Sequence, residues 1–409
     1  NHPTKIYDTL DKAKCRILAL TGTPIYQYVY EFALLGRLLK PGDDFPEIRH
    51  DGNIDVEAFM KIFIKENTGI LKLDKDGNLV PKNRALLNAR LKGIVSYFPG
   101  AGKDLVPEVI EQEPFRCKMT RDQEKMMEFP PSKSLKKEDF ARYKLLEQLY
   151  IMAKKRIMTR SASNFFYPKD IKKVPDKPVD EDGWISEEKF TGQKLLKLYS
   201  PKLAYFFTNL VMHNRQKHLL FTFFKTKAGV ILIKNLLEEL AVRKGINLKA
   251  KIFSGDLTDS KRKNLLRKFN SDDNKYGDKI RILLVTEAGA EGISVNNVRH
   301  MHILESSPRI SKTVQAIGRV ARYKSHITLP KNQRNVKIWR YWSVASGDRM
   351  NVKVKVYTSD GEMEHVDKEF GNDKTVDEIL YDKGKHTIDE MNSFLQILQQ
   401  NSVTKWKSD

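Results

Sequence analysis

Cysteine is almost missing: 409 residues hold two, Cys15 and Cys117, far apart in the chain. A disulfide framework and a thiolate zinc site are excluded, and a reducing compartment is favoured. Long apolar runs are missing too. Stretches such as Val230 to Ile233 fall far short of the roughly 20 residues that cross a bilayer, so no membrane partner is expected. There is no secretory leader pattern, no internal repeat and no low-complexity tract. The first residue is Asn rather than Met, from which a longer parent chain is expected. Disorder is excluded by 40% apolar residues, and the length predicts two or three domains.

Positive charge, by contrast, is abundant. Lysine plus arginine number 73 against 52 aspartates and glutamates, a formal charge of +21. Lysine kept for solubility is one source of such an excess; an anionic partner is the other, with nucleic acid the commonest. The excess is uneven, for 116–173 carries 16 basic and 7 acidic residues.

The clearest pattern lies between Pro201 and Val344. His218 to Phe224, Lys251 to Phe253, Arg281 to Thr286, Arg299 to Leu304 and Val336 to Val344 are short apolar runs of the buried-strand kind. Between them, Val230 to Leu240, Ser260 to Phe269 and Ser311 to Tyr323 repeat at helical spacing. Strand and helix alternate, which predicts an α/β fold with a mainly parallel sheet covered on both faces, its ligands at the carboxyl ends of the strands. Upstream, Arg16 to Leu20 reads as a strand running into Thr21-Gly-Thr-Pro24 and a helix through Leu39, and Gly93 to Phe98 as an extended run. Helices are expected over Glu138 to Met158 and Thr387 to Gln400, and a peripheral strand over Val352 to Val356.

Three spots join a strand end to residues suited to phosphate. Thr286-Glu-Ala-Gly-Ala-Glu-Gly-Ile-Ser294 follows a buried strand, and Gly289 and Gly292 would let backbone amides approach an anion closely. Gln315-Ala-Ile-Gly-Arg-Val-Ala-Arg322 places Arg319 and Arg322 three apart on an expected helix, where guanidiniums suit polyphosphate. Thr21-Gly-Thr-Pro24 ends a strand with two hydroxyls. Taken singly, these also fit an ordinary turn, a solvated arginine pair and a weak tetrapeptide. Lys154, Lys155, Arg156 and Arg160 with Phe165 to Tyr167 read equally as a phosphate-and-stacking surface or as a solvated face followed by core aromatics. His300 and His302 alternate on a strand but lack a third metal ligand nearby.

Order and spacing lift the three spots above chance. Thr21-Gly-Thr-Pro-Ile25, Leu219 to Phe224, Ser254-Gly255 with Arg262 and Phe269-Asn270, Thr286 to Val295 and Gln315 to Arg322 resemble motifs III, IV, IVa, V and VI of superfamily 2 nucleic-acid-dependent ATPases, nearest the SWI/SNF-type translocases. Gly93 to Phe98 and Thr375 to Leu380 with Phe394-Leu395 are similar to the transcription ATPases of poxviruses and other large DNA viruses, the nucleoside triphosphate phosphohydrolase I and early transcription factor small subunit groups. The departures are plain. No Gly-x-x-x-x-Gly-Lys-Ser/Thr phosphate loop occurs; in Pro99-Gly-Ala-Gly-Lys-Asp104 the first glycine would fall at Tyr97, and Asp104 replaces the magnesium-binding hydroxyl. No acidic motif precedes Thr21 either.

The resemblance therefore implies the rear part of a motor: the end of a first RecA-like lobe at 1–115, a basic helical insertion and linker at 116–185, a complete second RecA-like lobe at 186–345 and a C-terminal extension at 346–409. It implies ATP clamped between two lobes, with Mg2+ ligands and the phosphate loop upstream of Asn1. Arg322 would be the arginine finger, with Arg319 and Gln315 beside it; Gly292, Ser294 and Glu291 would line the nucleotide. Thr286, Gly289, Thr222, Phe223, Gly255 and Arg262 would hold nucleic acid, and Thr21, Gly22 and Thr23 would couple lobe closure to grip. The partners implied are double-stranded DNA and a viral RNA polymerase, with an intracellular place in the virion and host cytoplasm. A strand-separating DNA or RNA helicase and a non-catalytic scaffold on a polymerase are the alternatives.

Overall fold

The computed structural model describes residues 29–39, 55–64, 83–96, 105–120, 123, 160–165, 199–226, 228–347, 350–357, 363–370 and 375–403. The expected strand at 16–20, the turn at 21–24, the phosphate-loop look-alike at 99–104 and the helix at 138–158 lie outside them. The chain divides into two compact units, one of residues 1–102, 309–311 and 382–409, the other of 103–308 and 312–381.

The larger unit is built on a seven-stranded sheet. Its strands are β1 (Glu108–Glu111), β2 (Phe115–Lys118), β3 (Lys217–Thr222), β4 (Ala250–Phe253), β5 (Ile282–Thr286), β6 (Val298–Ile303) and β7 (Asn335–Val344), in the order β1-β7-β6-β3-β5-β4 with β2 also on β7. Every pairing in it is parallel. β1 and β2 lie end to end along β7, Glu108 beside Asn335 and Phe115 beside Tyr341, so they form one interrupted edge strand.

The connecting helices are α4 (Pro201–Met212), α5 (Val230–Lys244), α6 (Asp259–Asn270), the short α7 (Glu287–Ala290) and α8 (Ile310–Val320). Successive strand residues face opposite sides, and that alternation creates two cores. Leu220, Ile282 and Leu284 pack with Leu203, Phe206 and Leu210 of α4 and Ile233 and Leu237 of α5. Leu219, Phe221, Leu283 and Val285 pack with Phe269 of α6 and Ala316 and Val320 of α8. Local signals start and stop the helices. Ser200 Oγ accepts from Leu203 N ahead of Pro201, Thr258 accepts from Lys261 N, and Gly245 ends α5 at φ 60°.

A row of imidazoles fills the α4 side. Tyr341 O–H donates to His302 Nδ1 at 2.9 Å, His302 Nε2 meets His218 Nδ1 at 2.9 Å, and His218 Nε2 meets the His213 carbonyl at 3.0 Å. The carbonyl can only accept, so His218 carries its proton on Nε2, and every tautomer along the chain follows. His300 accepts from Trp339 Nε1 at 2.9 Å on Nδ1 and so donates from Nε2 to Gln216. Each of these three rings is neutral and saturated. The histidines at 300 and 302 thus serve the core. Among the described residues no group of three His, Cys, Asp or Glu could hold a metal ion, and no helix is long and apolar enough to cross a membrane.

Beyond β7, β8 (Met350–Tyr357) and β9 (Met363–Phe370) pair antiparallel in a sheet of their own. The last helix, α9 (Val376–Gln400), begins well before the expected Thr387. The smaller unit gathers Phe32 and Ala33 of α1 (Phe32–Leu39), Phe59 of α2 (Val56–Phe59) and Leu87 and Leu91 of α3 (Arg84–Leu91) around Phe394, Ile397 and Leu398. The expected extended run at Gly93 opens instead as a turn, with Gly93 at φ 82°.

Candidate functional site

At the carboxyl ends of β4 and β5 two loops are pressed together. A Cβ on Gly289 would sit 2.2 Å from the Phe253 carbonyl oxygen, and one on Gly255 would sit 2.8 Å from Ala288 Cβ. Both glycines are required by loop-on-loop packing. Gly292 differs: it is exposed, at φ 76°, and a methyl added there would find nothing within 4 Å. Thr286 caps α7, its hydroxyl accepting from Gly289 N at 3.3 Å. Arg262 donates to the carbonyls of Glu291 at 3.0 Å and Gly289 at 3.4 Å and stands over the Phe253 ring. Asn270 Nδ2 donates to the Ser294 carbonyl and its Oδ1 accepts from Asn296 N, each at 2.8 Å. The β5–β6 connection is thus strapped to α6.

It is strapped to α8 as well. Lys312 Nζ lies 2.8 Å from Glu291 Oε1 and 3.8 Å from Glu287, and its hydrogen bond holds the Glu291 carboxyl below the ordinary range. Val295 N reaches the Arg319 carbonyl at 3.5 Å, and Arg322 Nη1 donates to Ser294 Oγ at 3.1 Å. Arg319 and Arg322 do not share a helical turn, contrary to the expectation from their spacing. α8 ends at Val320, because Ser325 Oγ accepts the Arg322 amide at 3.2 Å and donates to the Arg322 carbonyl at 2.8 Å. They nevertheless meet at the same loop, one by backbone to Val295 and one by side chain to Ser294. The Arg319 guanidinium, half-buried, makes no hydrogen bond or ion pair with a described residue, and Gln315 lies half-buried one turn earlier. An unengaged guanidinium beside an exposed one suits the oxygens of a polyphosphate.

The family model described as the helicase conserved C-terminal domain matches residues 201–324, which contain every strand end and arginine just described. Residues 201–324 are a helicase C-terminal domain. Beyond it, a protein of Acanthamoeba polyphaga mimivirus that bears an ATP-dependent RNA helicase name is 26% identical over 359 residues, 85% of this chain and 58% of its own. A termination factor NPH-I homologue of African swine fever virus is 28% identical over 178 residues, 42% of this chain and 23% of its own. An early transcription factor large subunit homologue of the same virus is 35% identical over 92 residues, 22% of this chain and 8% of its own. The early-transcription relative is thus a large subunit homologue, where the resemblance in sequence named the small one. The chain spans little more than half the length of the first of these and far less of the others.

In the helicase C-terminal domain the end of β3 is closed from within. Thr222 is fully buried, and its hydroxyl donates to Glu305 Oε1 at 2.9 Å; Phe223 N donates to the same oxygen at 2.6 Å. The Phe223 ring is half-buried beneath the Arg160 guanidinium, 4.6 Å away. Thr286 is likewise buried with its hydroxyl spent on the cap. Of the sequence-derived candidates, the structure brings Gly255, Arg262, Thr286, Gly289, Glu291, Gly292, Ser294, Arg319 and Arg322 into one cluster, with Thr222 and Phe223 on the neighbouring strand end. Thr21, Gly22 and Thr23 lie outside the described residues.

Sequence reasoning misses Glu305, Lys312, Lys202 and Asp377. Glu305 has a signal, a lone acid directly after an apolar strand. Asp377 sits inside Thr-Val-Asp-Glu, a capping box in which Thr375 N donates to Glu378 Oε2 at 3.0 Å and Glu378 N to Thr375 Oγ1 at 3.4 Å.

Proposed function

We propose that this domain is the second motor lobe of an ATP-driven nucleic-acid translocase that moves on double-stranded DNA in viral early transcription. The observation that supports it best is the meeting of Arg319 and Arg322 at Ser294 and Val295. Arg322 stabilises negative charge growing on the γ-phosphoryl group, Arg319 holds the neighbouring phosphates, and Gln315 orders both. Gly292 and Ser294 line the nucleotide. ATP with Mg2+ supplies the phosphoryl group and its charge neutralisation; the guanidiniums fit the phosphates, and no magnesium ligands are assigned among the described residues. Thr222, Thr286 and Gly289 shape the strand-end loops that face backbone phosphate rather than base, with both threonine hydroxyls and the amides of Phe223, Phe224 and Gly289 turned inward. Arg262 keeps the β5–β6 connection in its gripping shape.

The names of the relatives support a viral setting, and those of the African swine fever virus proteins support a transcriptional one, beside a viral RNA polymerase in initiation or termination. The RNA helicase name of the mimivirus relative favours a second reading, strand separation on RNA or DNA. Arg322→Ala in the full-length protein is expected to lower ATP turnover by roughly a thousandfold, the scale of a lost arginine finger, while nucleic-acid binding survives. Unchanged turnover removes the finger assignment. Strand displacement on matched DNA and RNA duplexes separates the two readings, since the translocase displaces neither strand.

A further inference from the structure

One ion pair in the larger unit has both charges fully out of solvent: Lys202 Nζ lies 2.6 Å from Asp377 Oδ2, each side chain at 0% exposure. Two buried charges are costly unless their remaining valences are filled, and here they are. Asp377, the second residue of α9, accepts from Ser343 N at 2.9 Å on Oδ2 and from Ser306 N at 3.0 Å on Oδ1. Lys202 donates also to Ser163 Oγ at 3.0 Å and Asn164 Oδ1 at 3.2 Å. Ser306 follows Glu305, whose carboxylate accepts from Thr222 Oγ1, from Phe223 N and, at 2.7 Å, from Asn164 Nδ2. Arg160 Nε donates to the Ser306 carbonyl at 3.0 Å before its guanidinium covers Phe223. Both backbone polar groups of Ser306 are held, the N–H by Asp377 and the C=O by Arg160. That grip aims the Glu305 carboxylate at the end of β3.

We propose that Asp377 is a positioning residue for the Thr222–Phe224 loop: the head of the C-terminal helix, through Ser306 and Glu305, sets the conformation in which that loop grips the nucleic-acid backbone. This rests on the nucleic-acid reading of the loop given above. The path from Asp377 to Phe223 is two charge-assisted hydrogen bonds joined by a single covalent dipeptide. The side chains of Thr222, Glu305, Ser306 and Asp377 are all buried, so no water takes the place of a lost partner. A change at the head of α9 therefore passes to the β3 loop undiluted. The head of α9 is then a part of the grip.

The test uses the full-length protein with Lys202→Met and Asp377→Leu combined, beside Lys202→Met with Asp377→Asn. Removing both charges together leaves no uncompensated ion, yet it orphans Ser306 N and Ser343 N. The Met/Leu variant is expected to melt below wild type because two buried amides lose their acceptor, to exchange the Phe223 amide faster, and to need about ten times more duplex DNA for half-maximal ATP turnover, the scale of one charge-assisted hydrogen bond. Turnover at saturating DNA stays within about twofold, since no nucleotide contact changes. Lys202→Met with Asp377→Asn, which also removes both charges but keeps one acceptor oxygen, guards against a Met/Leu variant that does not fold and is expected to move both readouts the same way by a smaller factor. Wild-type exchange at Phe223 together with wild-type half-saturation overturns the proposal and leaves a core ion pair only. If turnover of the wild type ignores DNA, the nucleic-acid reading falls and takes the grip with it. Exchange at Phe223 then still decides whether Asp377 sets the loop.

Discussion

Mild acid should unfold the sheet unit, and the imidazole row sets how steeply. In the folded chain His218 donates to a carbonyl and accepts from His302, so an added proton has no acceptor to meet. Burial pushes its pKa down to about 3 from 6.5. His300 and His302 move in the same direction for the same first cause, with His213 adding repulsion to both and Lys337 to His300; Arg281 adds it to His218. Between pH 6.5 and about 3 the unfolded chain binds protons that the folded one refuses, so stability is complete above 6.5 and falls as pH drops through that window. At pH 5 the solution lies about 1.5 below the unfolded pKa, so each ring costs roughly 2 kcal/mol and three rings roughly 6 kcal/mol. That is of the order of a whole domain's stability. His326, lowered to about 4, adds a contribution of the same sign. Asp256, held at about 2 chiefly by its hydrogen bond from Lys225, gives up its share only below its ordinary 3.8, beneath the pH 5 limit of the assay. Urea unfolding from pH 7.5 to 5 is the assay, with His218→Leu expected to lower stability at pH 7.5 and to remove about a third of the slope. A free energy that shifts by less than about 1 kcal/mol over that range would refute the neutral, saturated row.

Two further outcomes follow from buried groups elsewhere. Lys217 Nζ donates to the carbonyls of Phe269 and Asn296 at 2.6 and 2.7 Å, and burial lowers its pKa to about 7. The folded chain therefore holds fewer protons than the unfolded one between about 7 and 10.5, stability rises with pH across that interval, and Lys217→Met is expected to abolish the rise in urea unfolding. Gly289→Ala is expected to cost about 3 kcal/mol in thermal unfolding, because its methyl would collide with the Phe253 carbonyl. Gly292→Ala meets nothing and should cost only about 1 kcal/mol of left-handed backbone strain; equal losses would contradict the packing role of Gly289.

What can be read from sequence depends on how each element is buried. β3 and β5 are covered on both faces and so appear as unbroken apolar runs, which makes their ends and the phosphate-type loops after them legible. β1 and β2 are not. Glu108-Val-Ile-Glu and Phe115-Arg-Cys-Lys are four-residue edge strands with mostly exposed, charged positions, and their partner β7 lies far along the chain. Sequence places the start of α9 too late, at Thr387, and Gly384 lies inside the helix. In the fold it is the surface on which Ile310 rests, a Cβ there coming within 3.1 Å of Ile310 Cβ.

The candidate site is legible in its residues more than in its contacts. Gly255 and Gly289 belong to separate motifs in sequence, and only the adjacency of β4 and β5 makes them one packed unit. Sequence leaves the Thr222 hydroxyl free for a ligand because Glu305, which takes it, is remote in the chain. Ser325, three residues past Arg322, ends the helix that the arginine spacing carries onward.

The doubled edge β1–β2 has a consequence for how this chain is made. Glu108 and Phe115 leave the ribosome long before Asn335 and Tyr341, the positions they pair with. Until β7 is synthesised the early segment has no neighbour and β6 presents a bare flank of amides and carbonyls, the kind of intermediate that chaperones shield. Closure of the sheet is thus set by contacts of very high order, and its birth should be slow even though its finished core is dense.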